Sequence, residues 1–181
     1  MNAQAQTVVA APLDWTAANQ QALAAEFAHL RARILGDAAE APAPVPTGDA
    51  AIDHVVRAFG LSGFERSLLL LCAGVEMDTS LMDACIAAGQ RGVTFGFALG
   101  LLDDPHWSAL APSAPLRRWR LLDVHANGAQ PLTAAPLRID ERVVLYLAGL
   151  NQLDTRLAPL LRMARPSASL APSHDARKRE I

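Results

Sequence analysis

Residues 101–124, LLDDPHWSALAPSAPLRRWRLLDV, change character midway. The stretch begins as the end of an apolar helix, passes through prolines, and emerges as a run in which arginines alternate with apolar residues. The alternation in LRRWRLLDV (116–124) predicts a strand with Trp119 and Leu121 on one face. HANGAQ (125–130) carries Asn-Gly, a strong signal for a hairpin turn. PLTAAPLRI (131–139) then reads as the returning strand, with Pro136 marking an edge. DERVVLYLAGL (140–150) is helical again and is opened by Asp140.

Upstream, the pattern is helical throughout. Asp49 opens a helix with Ile52, Val55, Val56 and Phe59 on one face, ended by Gly60. Ser62 and Glu65 stand in the S-x-x-E relation of a capping box, with Leu61 placed to act as a hydrophobic staple. The helix that follows is apolar almost all round, so it is expected at the centre of the fold. DTSLMDACIAAG (78–89) is a short third helix, TFGFALGLLDD (94–104) a fourth, and HWSAL (106–110) a single turn. Helices, then a hairpin, then a helix is the plan of a winged helix: a mainly α fold with a small β-hairpin, expected over residues 49–163.

The flanks read differently. Residues 1–13 are expected to be disordered. Residues 14–35 form a long amphipathic helix, capped by Asp14 and stopped at Gly36, running about 33 Å at 1.5 Å per residue. Its stripe of Leu23, Phe27, Leu30 and Ile34 either packs on the chain's own domain or meets a partner helix or a second copy. Residues 36–48 are a Pro-rich linker, and 164–181 a polar tail of the same style.

Composition sets bounds. The chain has 181 residues, 51% apolar and 19% charged, enough for a real core. A net charge of −2 provides no global basic field to hold a polyanion. Charge is uneven along the chain: residues 1–110 hold 5 basic against 12 acidic side chains, and residues 111–181 hold 11 against 6. Cys72 and Cys85 lie in apolar helical stretches and read as buried reduced thiols, a disulfide or reactive thiol being the alternative. There is no signal-peptide pattern, and the longest apolar run, Leu68 to Val75, is far short of the ~20 residues of a membrane span, which points to the cytoplasm.

A DNA-reading winged helix presents Arg, Lys, Asn or Gln to base edges from the helix before its hairpin. Read as TFGFALGLLDD, that helix offers none of these and ends in two carboxylates, which argues against groove reading. The arginines at 117, 118, 120 and 138 are instead expected on the hairpin. There Arg117, Arg118, Arg120 and Arg138 could touch phosphates, pair with the domain's own acids, or meet an acidic partner. They and the helix stripe are the candidate partner contacts.

Catalytic patterns are thin. His29, His54, His106, His125 and His174 are scattered, without H-E-x-x-H or Cys-x-x-Cys spacing, so no metal ligand set is expected. His106, beside Trp107 and near Asp103 and Asp104, is the most suggestive, either as a site or as part of a capped turn. Ser62, Ser67 and Ser108 lack a nucleophile elbow. No phosphate-binding G-x-x-x-x-G-K-[ST] loop occurs, and the only lysine is Lys178. No catalytic residue and no cofactor are therefore expected in this chain.

FGLSGFERSLLLLCAGVEMD, TFGFALGLLDDPHWSALAPSAPLRRWRLLDV and PLTAAPLRIDERVVLYLAGLNQLDTRLAPLL resemble the N-terminal region of bacterial AAA-family ATPases that accompany phage-tail-like extracellular contractile injection particles. The resemblance covers roughly residues 49–161 and more loosely the first helix. It implies a winged-helix module ahead of an ATPase core, with ATP and Mg belonging to that core. It also implies partners among protein clients, adaptors or particle components. The chain reaches Ile181 before any Walker motif, and its polar tail favours an excised piece over a full gene product. Two other roles stay open: a structural module with no client of its own, and a nucleic-acid-binding regulator.

Overall fold

The computed structural model describes residues 13–37, 44–126, 128 and 130–151. Residues 1–12 of the expected disordered N-terminus, residues 38–43 of the Pro-rich linker, the Asn of the Asn-Gly pair, the end of the domain at 152–163 and the polar tail lie outside them.

Among the described residues, seven helices and two short strands follow in chain order: α1 (Leu13–Leu35), α2 (Ala51–Phe59), α3 (Gly63–Met77), α4 (Thr79–Ala87), α5 (Phe95–Leu101), α6 (Pro115–Arg118), β1 (Leu122–Val124), β2 (Leu137–Ile139) and α7 (Glu141–Leu147). As the sequence predicts, α3 is the centre. Its Leu68, Leu69, Leu70, Leu71, Cys72 and Ala73 are all buried, so it has no solvent stripe to spare. The capping box at its start is complete: Ser62 Oγ accepts from the Glu65 amide at 3.2 Å, and Glu65 Oε2 accepts from the Ser62 amide at 2.8 Å. Asp78, Thr94 and Asp140 cap α4, α5 and α7 with their side chains. HWSAL forms the expected single turn, a 3-10 turn at Trp107–Leu110.

The long first helix belongs to the same core. Leu23, Phe27 and Leu30 are buried against the rest of the domain, and Ile34 packs partly buried beside them. Of the two readings of this stripe, the structure takes the inward one. Its contacts are made with α3 and α4 of the same chain, which takes Leu23, Phe27 and Leu30 out of the surface and leaves Ile34 partly exposed. α1 starts at Leu13, so Asp14 lies within the first turn rather than capping it.

Four further expectations are corrected. Asp49 does not cap α2, whose N-cap is Ala50 with no side-chain cap. Residues 116–124 are not one strand: Pro115–Arg118 is a helical turn, and only Leu122–Val124 pairs with β2, in the register Leu122↔Ile139, Asp123↔Arg138, Val124↔Leu137. The hairpin connection is not a two-residue turn, because pairing stops at Val124↔Leu137 and the intervening chain forms a wing containing a 3-10 turn at Leu132–Ala134. Nor does Pro136 mark an edge. It precedes β2, which has β1 on one side and Val93–Thr94 on the other, through a Thr94↔Pro136 bridge and a 2.8 Å bond from the Leu137 amide to the Val93 carbonyl. Pro136 fits because it stands at the start of the strand, where its carbonyl still accepts from the His125 amide at 2.9 Å.

Candidate functional site

The element directly before β1 is α6, not α5, and its local chemistry explains why. Pro115 sits in the first turn, where its fixed φ and missing N–H favour a helix start. The helix ends after four residues in a Schellman motif. The Leu121 amide bonds to the Leu116 carbonyl at 2.9 Å, and the Arg120 amide to the Arg117 carbonyl at 3.1 Å. Leu116 and Leu121, the two apolar residues such a motif brings together, are both buried. The position usually held by glycine is held by Arg120, at φ 53. An L-residue there costs about 1–2 kcal/mol.

This turn throws Trp119 outward. Trp119 is 53% exposed, and its ring lies 5.8 Å from that of Phe59 on α2. The two rings, with Val55, Val143 and Tyr146, form the apolar wall of an open cleft of about 410 Å³ between α2, the α6–β1 turn and α7. Such a volume falls in the ~300–1,000 Å³ range of ligand-binding clefts. The rim is polar. Arg118 stacks on Trp119 with its guanidinium carbon 5.3 Å from the ring centroid. Arg120, Asp140 and Arg142 line the cleft itself. Asp140 is already engaged by Arg142, at 2.9 Å to Nε and 3.0 Å to Nη2, and by the Arg142 amide it caps. No described carboxylate lies within ion-pair distance of Arg118 or Arg120.

The structure thus separates the four arginines expected on the hairpin. Arg117 donates to the Leu110 carbonyl at 3.1 Å and holds α6 to the 3-10 turn before it. Arg118 and Arg120 flank the exposed Trp119. Arg138 alone lies on a paired strand, directly opposite Asp123 on the exposed face, an opposite-charge pairing that offsets it. α5, meanwhile, is covered by the chain's own wing. The 3-10 turn Leu132–Ala134 packs on it so closely that a Cβ at Gly96 would lie 3.0 Å from the Thr133 carbonyl oxygen.

His106 belongs to a capped turn. Its Nε2 meets Ser62 Oγ at 3.0 Å and its Nδ1 meets Ser108 Oγ at 2.8 Å, which fastens the start of α3 to the HWSAL turn. Asp103 is turned elsewhere, paired with Arg33 of α1. The Arg33 hydrogen bond, and then its charge, hold the Asp103 carboxyl below the usual carboxylate range, and the same bond raises Arg33. Cys72 and Cys85 are free and buried, and burial pushes both thiols up, away from the reactive thiolate. Among the described residues, no three His, Cys, Asp or Glu side chains gather as a metal site.

Three buried polar side chains went unread in the sequence. Asn19 of α1 is buried. It accepts the otherwise orphaned Ala51 amide at the start of α2 and donates to the Leu147 carbonyl at the end of α7, each at 2.8 Å. Glu26 and Asp53, also buried, share Arg66 at 2.5 and 3.9 Å, joining α1, α2 and α3. Their signal was positional: Asn19 and Glu26 fall on the Leu23–Phe27–Leu30 face.

A family model described as winged helix domain, variant, matches residues 4–161. No curated protein and no solved structure matches the chain. The match spans the first helix, the helical core, the wing and α7, and agrees with the mainly α fold and its small antiparallel sheet: the chain belongs to the variant winged helix domain family.

Proposed function

We propose that this winged helix domain is a non-catalytic protein-interaction module that stands ahead of an AAA-family ATPase core. In this reading it works in the cytoplasm and recruits a client or adaptor for assembly or remodelling of a contractile injection particle. ATP and Mg serve the core, and no residue of this chain handles them. The reading is supported by the sequence resemblance and by the way the scaffold spends its surface. One observation carries it: the cleft at Trp119. Where a groove-reading relative would place a long recognition helix, this chain has one turn of helix, about 6 Å at 1.5 Å per residue, and an exposed aromatic flanked by arginine. Trp and Arg in a concave, partly desolvated setting are the residues that most often dominate protein–protein binding.

The test is a titration of the protein encoded by the complete reading frame, and of residues 1–181, against purified sheath, tube and baseplate proteins of the particle. Saturable binding by both forms is the expected result. Absence of binding to every particle protein, with saturable binding of duplex DNA at low salt, would replace this reading with the nucleic-acid one.

A further inference from the structure

We infer that the cleft between α2, the α6–β1 turn and α7 is a docking site for an acidic protein segment: one apolar side chain seated against Trp119 and Phe59, with carboxylates on either side reaching Arg118 and Arg120. This rests on the protein-interaction reading and gives it a partner chemistry.

The argument starts from charge. Arg120 and Arg142 line the cleft and Arg118 stacks on its Trp119, against one lining carboxylate, Asp140. That carboxylate is consumed within the chain, gripped by both Arg142 donors and by the α7 amide it caps. Arg118 and Arg120 therefore face solvent with no described carboxylate in reach. His54 also lines the cleft, and its nearest acid is Asp49, 4.0 Å away. The floor is apolar and aromatic, so a bare anion would leave it wet and a bare hydrophobe would leave the arginines unpaired. A segment that alternates the two satisfies both.

Backbone geometry adds weight. Arg120 stands at φ 53 in a motif that glycine completes without strain, and glycine there would remove the cation from the rim. A strained residue at the lip of a cleft is where function and stability pull apart. The lining of the cleft also argues against a duplex. Its wall is built from Phe59 and Val55 of α2 and Val143 and Tyr146 of α7, an apolar lining that suits an apolar side chain rather than a phosphate backbone.

The probe is an eight-residue peptide with Leu-Phe at its centre and Asp or Glu at all other positions, titrated into residues 1–181 at low and physiological salt. Trp119 fluorescence and amide shifts of α7 report occupancy. The expected result is saturable binding that weakens with salt. Replacing the peptide's acids with Lys should abolish it, and replacing Leu-Phe with Gly-Gly should reduce it at least about tenfold. Arg120→Gly, which relieves strain and so keeps the fold, should weaken binding about tenfold, and Trp119→Ala roughly thirtyfold. Equal binding of the Lys peptide, unchanged affinity in Arg120→Gly and Trp119→Ala, or saturation of the same α7 shifts by duplex DNA in place of the peptide would overturn the inference. So would absence of any peptide binding. Particle proteins that bind wild type and Trp119→Ala alike would sink the cleft while leaving the interaction module standing, whereas particle proteins that bind neither would sink the module.

Discussion

Replacing Asn19 tests how the domain is held together around its cleft. The side chain is almost wholly buried and makes two 2.8 Å hydrogen bonds to backbone groups without another described partner: the Ala51 amide and the Leu147 carbonyl. It does for α2 in trans what a capping Ser or Asp does locally, since Ala50 has no side chain to offer. In Asn19→Ala both groups stay buried and unpaired, each costing about 1–3 kcal/mol, with the carbonyl at the lower end because a carbonyl tolerates the loss of a partner better than an amide does. The expected loss is about 2–4 kcal/mol. With a slope of about 2 kcal/mol per M urea, the unfolding midpoint should fall by about 1–2 M with the slope unchanged. Asn19→Asp sharpens the test. Its carboxyl, buried and facing the Leu147 carbonyl, is favoured as the neutral acid, so its folded pKa is raised above the unfolded ~3.9. The folded state then binds the proton more tightly. The deficit of the Asp variant should therefore be smallest below about pH 4 and grow as pH rises through the folded pKa. Urea unfolding followed by tryptophan fluorescence at several pH values decides it. A midpoint shift under about 0.3 M for Asn19→Ala, or a pH-independent Asp variant, would refute the bridging role.

Three further outcomes are expected. Arg120→Gly should raise stability by about 0.5–1 kcal/mol, because relief of the αL strain of about 1–2 kcal/mol exceeds the extra backbone entropy that glycine loses; a lower urea midpoint would contradict it. Gly74→Ala should destabilise by about 1–2 kcal/mol: its Cβ would lie 2.2 Å from Leu81 Cδ2 and 3.0 Å from the Phe27 ring, and with both residues buried the overpacking cost outweighs the ~1 kcal/mol helix gain, so a neutral or stabilised variant would show that α1 and α4 yield there. In Arg33→Gln the Asp103 carboxyl should return upward to the ordinary range in an NMR titration. Because its folded pKa is depressed, the pair's contribution is present above the unfolded value and lost as pH falls through the folded one. With Asp103 largely exposed, that contribution belongs in the ~0–1 kcal/mol range of surface pairs, and an unmoved titration would assign the depression to another group.

The helical half of this fold was legible because its signals are local. Ser62 and Glu65 declare the start of α3 within four residues, and Asp78, Thr94 and Asp140 do the same for α4, α5 and α7. The β half was misread where two local signals compete. The alternation of LRRWRLLDV says strand, yet Pro115 sets a helical first turn, and the buried pairing of Leu116 with Leu121 closes it. A period of two cannot be told from a helical turn and its exit over so short a run. The Asn-Gly pair promised a tight hairpin, but the wing packs its Leu132–Ala134 turn on α5 and needs the length. Asn19 and Glu26 offered only their position on the apolar face of α1, for a different reason. Their partners lie in other elements, and nothing near them in sequence says that a polar residue on an apolar face is satisfied.

That misreading changed the functional argument more than the fold. Taken as a strand, 116–124 spread its arginines along a wing, where they could meet phosphates; folded as it is, the same stretch uses Arg117 to tie α6 down and gathers Arg118 and Arg120 around one exposed indole. Of the four arginines at 117, 118, 120 and 138, those left for a duplex are Arg118, Arg120 and Arg138, the last set opposite Asp123. Three phosphate contacts from this stretch would add about −3 to a salt slope, a small share beside the six to ten contacts of proteins that depend on DNA. A protein surface needs far fewer groups, because one desolvated tryptophan with flanking guanidinium groups can carry most of an interface. The economy of this scaffold, a single helical turn where a reading helix would lie, fits the second use.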